Sequence, residues 1–172
     1  MAAQAAITLT VDGEEQFNRV FSRLDAYFDD LTPIWPDVRD EFWRIEREQF
    51  DSEGGKGASG RWKELSTRYK AEKIKRYGAG KKILEATGAL RESLTGDNEG
   101  SYYMAGKKEV AIGTVIPYGI YHQRGSDKLP QRKPIDLSEE QKRKLTDVIH
   151  KSLVRELRTG RYYVPLMDRP IS

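Results

Sequence analysis

The chain has 172 residues, 37% of them hydrophobic and 33% charged, which is enough to bury one domain's core without covalent staples. It holds no cysteine, so disulfides, thiolate metal sites and cysteine nucleophiles are excluded. Met1 to Ala6 lacks the basic and apolar regions of a signal peptide, and no apolar run approaches the roughly 20 residues that span a bilayer; the chain reads as a soluble protein made in the cytoplasm.

The low apolar share admits two readings: a partly extended protein that gains burial by assembling, or a helix-rich domain with solvated faces. The charge is uneven. Residues 1–50 hold five Lys/Arg against eleven Asp/Glu, and residues 51–172 hold 25 against 16. Such polarity can steer head-to-tail association between copies, or reflect one solvated acidic helix face.

Ile7 to Val11 alternates apolar and polar and meets Asp12-Gly13, the pattern of a strand entering a turn. Phe17, Val20, Phe21, Leu24, Tyr27, Phe28 and Leu31 then share one face of an amphipathic helix. Pro33 and Pro36 punctuate the chain, and a second helix follows with Val38, Phe42, Ile45 and Gln49/Phe50 inward. Residues 52–60 carry four glycines and two serines and read as a flexible loop. A basic helix is expected from about Ser66 to Tyr77, closed by Gly78-Ala79-Gly80. Thr87 is placed to cap a short helix whose Leu90 and Leu94 face the core.

After Gly96 the period changes. Tyr102 to Met104, a turn at Gly106-Lys107-Lys108 and Val110 to Val115 predict a β-hairpin. Pro117 to Arg124 is irregular or one helical turn, and Lys133 to Leu137 reads as another strand. Ser138 and Gln141 form a capping box for a last helix that buries Leu145, Val148, Ile149, Ser152, Leu153 and Leu157. Helices, then strands, then a helix predict an α+β fold, with helices on one face of a small antiparallel sheet. Residues 1–160 are expected to form a single domain with long N-terminal amphipathic helices, and residues 161–172 a C-terminal docking tail.

No constellation in the sequence supports catalysis. Gly54-Gly55-Lys56-Gly57 lacks the spacing and the Ser/Thr of a phosphate loop. His122 and His150 have no ligand or triad spacing around them; His122 reads as a hydrogen-bonding group in a tight loop and His150 as a helix-boundary residue. Asp29-Asp30, Asp40-Glu41 and Glu139-Glu140 are neighbours that diverge around a helix and read as solvated surface. Catalytic, cofactor and metal sites are all read as none. Arg61, Lys63, Arg68, Lys70, Lys73, Lys75, Arg76, Lys81 and Lys82, interleaved with Trp62, Tyr69 and Tyr77, could contact phosphates and stack bases, or form a solvated basic face. A basic DNA- or RNA-binding protein is therefore the alternative function.

An ordered set of segments resembles the phage virion morphogenesis, or tail completion, family. It runs from Phe50 and the glycine loop through Trp62-Lys63-Glu64-Leu65-Ser66, Lys73 and Ile83 to Leu94. It continues through Val110 to Thr114, Pro117 to Gly125 and Pro130-Gln131-Arg132-Lys133-Pro134. Where the family pattern commonly has Pro-Ala-Arg-Pro-Phe, Gln131 and Lys133 depart from it while Arg132 keeps its place. The resemblance implies a non-enzymatic bacteriophage structural protein at the head-proximal end of a tail. It would be a neck or head–tail connector component in a ring, made in the bacterial host and carried in the virion. Its partners would be other tail and neck proteins and copies of itself, with weak DNA contact possible and no membrane. Gly113 and Gly125 are expected to relieve backbone crowding. The expected interface residues are Tyr118, Tyr121, His122 and Arg132, with Tyr162, Tyr163 and Leu166 in the tail.

Overall fold

The computed structural model describes residues 28–159, so the expected strand at 7–11, almost all of the first amphipathic helix and the tail at 161–172 lie outside the described residues. Among the described residues the fold is α+β. A 3-10 turn at Thr32–Ile34 leads into α1 (Trp35–Asp51), followed by α2 (Thr67–Tyr77) and α3 (Ala89–Thr95). The strands β1 (Ser101–Ala105) and β2 (Val110–Thr114) come next, then α4 (Gly119–Arg124) and α5 (Glu139–Thr159).

The two prolines stand where a helix tolerates them, Pro33 in the 3-10 turn and Pro36 in the first turn of α1. Val38, Phe42, Ile45, Gln49 and Phe50 of α1 are buried, as their spacing predicts. Phe42 and Phe50 join Trp62, Ile83, Leu90 and Leu94 in one apolar cluster. At the other end of the helix, Trp35 and Val38 join Ile34 in a second. Val148, Ile149, Leu153 and Leu157 of α5 pack on the second cluster, and Leu145 packs against both. α5 begins with the expected capping box: the Ser138 N–H donates to Gln141 Oε1 at 2.8 Å and the Gln141 N–H to Ser138 Oγ at 3.4 Å. Ser152 and Arg155 of α5 both donate to Asp37, fastening it to the start of α1.

The hairpin is antiparallel, with Ser101 opposite Thr114 and Tyr103 opposite Ile112. Tyr102 and Met104 are exposed while Tyr103 turns inward, so one face meets the helices. α3 contacts both strands, helped by the Ser93–Thr114 hydroxyl pair at 2.7 Å. The hairpin tip is tied to the start of α1: the Trp35 indole donates to the Gly106 carbonyl and the Leu31 N–H to that of Lys107, both at 2.7 Å.

Three local expectations change. Lys133 to Leu137 is not a strand. Pro134 has no N–H to give a ladder, and Gln123 takes the place of a strand partner, donating to the Ile135 carbonyl at 2.8 Å and accepting from its N–H at 3.2 Å. The cap of α3 is Gly88 rather than Thr87; Gly88 takes φ +96°, a conformation open to glycine at little cost. Gly113 relieves no crowding, since a side chain there would meet open space, whereas at Gly125 a Cβ would lie 2.9 Å from the Gln131 nitrogen.

The glycine loop has partners inside its own chain. The Ala58 N–H donates to the Asp136 carbonyl at 3.1 Å and the Ser59 N–H to its carboxylate at 2.6 Å. Composition alone gives no sign of these contacts.

Candidate functional site

Among the described residues, a groove of about 690 Å³ lies between α2 and the segment 118–132. One wall is Lys63 to Ser66 followed by Tyr69, Lys73 and Tyr77. This wall exists because Ser66 caps α2, accepting from the Tyr69 N–H, and because residues 69, 73 and 77 recur every four positions along one face. Leu84, Ala86 and Thr87 contribute the stretch between α2 and α3. Leu84 takes φ +61°, a conformation that side chains of its size rarely adopt, while it packs against the first apolar cluster.

The opposite wall is Tyr118, His122 and Lys128 to Pro130, with Arg132. Gly119 lets α4 settle on the core, since a Cβ there would lie 3.1 Å from Leu90 Cδ1. Tyr118 and His122 meet edge to face at 6.2 Å between ring centroids. Arg132 is buried and crosses to the other wall: its Nε donates to the Lys63 carbonyl at 2.6 Å and its Nη2 to that of Glu64 at 3.0 Å. Its backbone N–H donates to the His122 carbonyl at 3.0 Å.

Thus Tyr118, His122 and Arg132 come together. Tyr121 does not join them; it is 62% exposed, outside the groove. Tyr162, Tyr163 and Leu166 lie outside the described residues. The His122 Nδ1 is buried without a hydrogen-bond partner among the described residues. Burial, and then the neighbouring Arg132 charge, lower its pKa and favour the neutral ring. His150 is exposed on α5.

The basic run divides in two. Lys73 is buried, and its Nζ donates to the carbonyls of Lys81 at 3.3 Å and of Lys82, with burial lowering its pKa. Arg61 pairs with Glu53 at 3.0 Å, and Lys82 lies 3.5 Å from Asp51. Arg68, Lys70, Lys75 and Arg76 remain exposed on α2. Members of two carboxylate pairs behave as surface: Asp29 meets Lys108 at 2.9 Å, Glu139 meets Lys142 and Glu140 meets Lys144, both at 2.7 Å. In the third, Asp40 is exposed but the Glu41 side chain is only 14% exposed and pairs with Arg44. Among the described residues no cluster of three His, Cys, Asp or Glu could hold a metal ion, and no helix is long and apolar enough to cross a membrane.

Sequence reasoning did not single out Leu65 and Leu84 as groove residues, and their apolar character carries no sign of exposure to a cleft. It also missed a buried polar cluster beneath the glycine loop. Both carboxyl oxygens of Glu46 and both amide atoms of Gln49 are buried without partners. Burial, followed by the charge of Asp136, holds the Glu46 carboxyl well above its usual range.

The groove thus draws on three separated stretches, 63–77, 84–87 and 118–132. The family model of the phage virion morphogenesis family matches residues 12–154, an interval that contains all three. No curated protein and no solved structure matches the chain. The match covers well over half of the 172 residues, and the chain belongs to the phage virion morphogenesis family.

Proposed function

We propose that this protein completes the phage tail or joins it to the head, as a ring in the neck, acting by binding rather than by catalysis. Membership of the family gives it a structural or assembly role in a phage virion, in contact with other virion components. The observation that carries the finer reading is the groove. It is lined by leucines and tyrosines with a few charged groups, and its two walls are held at fixed separation by Arg132. Aromatic and apolar side chains around a preformed concavity are what an assembly interface requires. The ring would act in the virion, after synthesis in the host cytoplasm.

Tyr118, His122 and Arg132 form the groove side of this interface, and Tyr121 stands exposed beside it. Tyr162, Tyr163 and Leu166 serve as a C-terminal docking element in the same reading. Truncation after Leu157 tests them. A folded, truncated chain that no longer restores infectivity to defective lysates supports docking; intact complementation removes these three residues from the interface.

The decisive experiment is electron microscopy of particles made without the protein. Separate filled heads and finished tails are expected, and normal virions would overturn the reading. The exposed cations Arg68, Lys70, Lys75 and Arg76 favour a second reading, DNA contact. Sub-micromolar DNA binding that falls steeply with salt would support it.

A further inference from the structure

The groove has a polarity that selects its occupant. Lys63, Lys73, Lys128 and Arg132 line it against one carboxylate, Glu64. Lys63 and Lys128 stand exposed, while Leu65, Leu84, Leu129 and the tyrosines give it an apolar lining. The matching ligand is an amphipathic segment with apolar groups at helical spacing and an acidic excess. The chain contains one such segment outside the described residues. Residues 12–27 carry Phe17, Val20, Phe21, Leu24 and Tyr27 at three- and four-residue intervals, with Asp12, Glu14, Glu15 and Asp25 against Arg19 and Arg23. The other terminal segment, 160–172, carries Arg161 and Arg169 against Asp168 and has the wrong sign.

Placement favours another copy's segment over the chain's own. The chain enters the described region at residue 28, near the hairpin tip and the Trp35 end of α1. The groove lies by the opposite end, where Phe50 meets Trp62 with ring centroids 5.3 Å apart and Trp62 adjoins the wall residues 63–66. The 17 residues of α1 separate these ends by about 25 Å. A groove at the opposite end of α1 from the point where the segment joins the described residues suits a head-to-tail contact, which repeats around a ring.

We infer that the groove of each subunit receives the acidic amphipathic segment 12–27 of a neighbouring copy. This deepens the ring reading by naming its contact. Self-association is measured on purified protein and head–tail joining on particles, so either can fail without the other.

The test uses the full-length chain in sedimentation velocity over a concentration series. One variant reverses the groove (Lys63→Glu with Lys128→Glu), and another reverses the segment (Asp12→Lys with Glu14→Lys and Glu15→Lys). Each alone should weaken self-association by about tenfold or more, since like charges then face one another. An equimolar mixture should associate again, because every segment then finds a groove of opposite sign. A wild-type chain that stays monomeric at its highest soluble concentration would overturn the proposal, as would variants that associate normally. Loss of DNA binding in the groove variant with unchanged association would assign the groove to nucleic acid instead. Because the chain has no cysteine, a Glu15→Cys, Lys128→Cys pair gives an independent readout even where a reversal variant misfolds. Oxidation should produce a ladder of linked chains. A linked monomer would place the segment in its own groove and overturn the proposal.

Discussion

The indole N–H of Trp62 donates to the carbonyl of Lys133 at 2.9 Å, across 71 residues of sequence. The neighbouring Arg132 returns the connection, donating to the carbonyls of Lys63 and Glu64. The two contacts cross, so 62–64 and 132–133 are stitched from both sides. Arg132→Ala removes the charged donor and leaves two carbonyls without it, for an expected loss of about 1.5–3 kcal/mol. Urea unfolding checks this, and an unchanged midpoint would mean that the stitch contributes nothing to stability.

Leu90 is 1% exposed, and with Leu94 it joins α3 to α1 and the hairpin. Leu90→Ala should cost about 2–5 kcal/mol, the range for a buried leucine whose cavity does not fully collapse. A urea midpoint within error of the parent would place Leu90 outside the core of the free protein.

Glu46 makes stability depend on pH in a direction opposite to most paired carboxylates. Its folded pKa lies above the ordinary 4.5, so the folded chain holds a proton that the unfolded chain releases. The associated stability is fully present below about pH 4.5 and is lost as pH rises through the folded value. Glu46→Gln keeps the shape without the ionisation. Its unfolding midpoint should match the parent's at pH 4.5, exceed it at pH 8 and vary less between the two. Parallel pH profiles for both proteins would show that Glu46 is solvated.

The glycine loop supplies a fourth prediction. A Cβ on Gly57 would lie 2.6 Å from Gln49 Nε2 and 2.9 Å from both the carbonyl and a carboxylate oxygen of Asp136. Gly57→Ala must therefore move the loop off its Asp136 partners. Faster tryptic cleavage at Lys56 is expected, with the cut still preceding any within 139–157. An unchanged cleavage rate would mean that those hydrogen bonds do not restrain the loop.

The α+β class, the hairpin, the buried face of α1 and the capping box of α5 were legible because each is written locally. Periodicity marks Val38, Phe42 and Ile45, and side-chain chemistry marks Ser138 and Gln141. The strand expected at Lys133–Leu137 failed because a side chain, that of Gln123, takes the place of a partner strand, and local pattern does not reveal a glutamine that binds one backbone residue twice. The groove was half legible. Tyr118, His122 and Arg132 were flagged together, but their meeting with α2 depends on contacts about 70 residues apart, and Tyr121, from the same motif, points elsewhere. Lys73 looked like its basic neighbours, and only the fold turns it inward onto two carbonyls.

Because the groove's walls come from 63–87 and 118–132, it has a position in time as well as in space. During synthesis the first wall leaves the ribosome dozens of residues before the second, and Arg132 emerges after nearly everything it will hold together. A nascent chain stopped before residue 118 presents half a cleft, and one stopped before residue 132 lacks the side chain that ties the halves together. Long-range closures of this kind form late in folding. If subunits join as proposed, a chain stopped before residue 132 carries the segment 12–27 without a finished groove, so it would end a row of subunits rather than extend it.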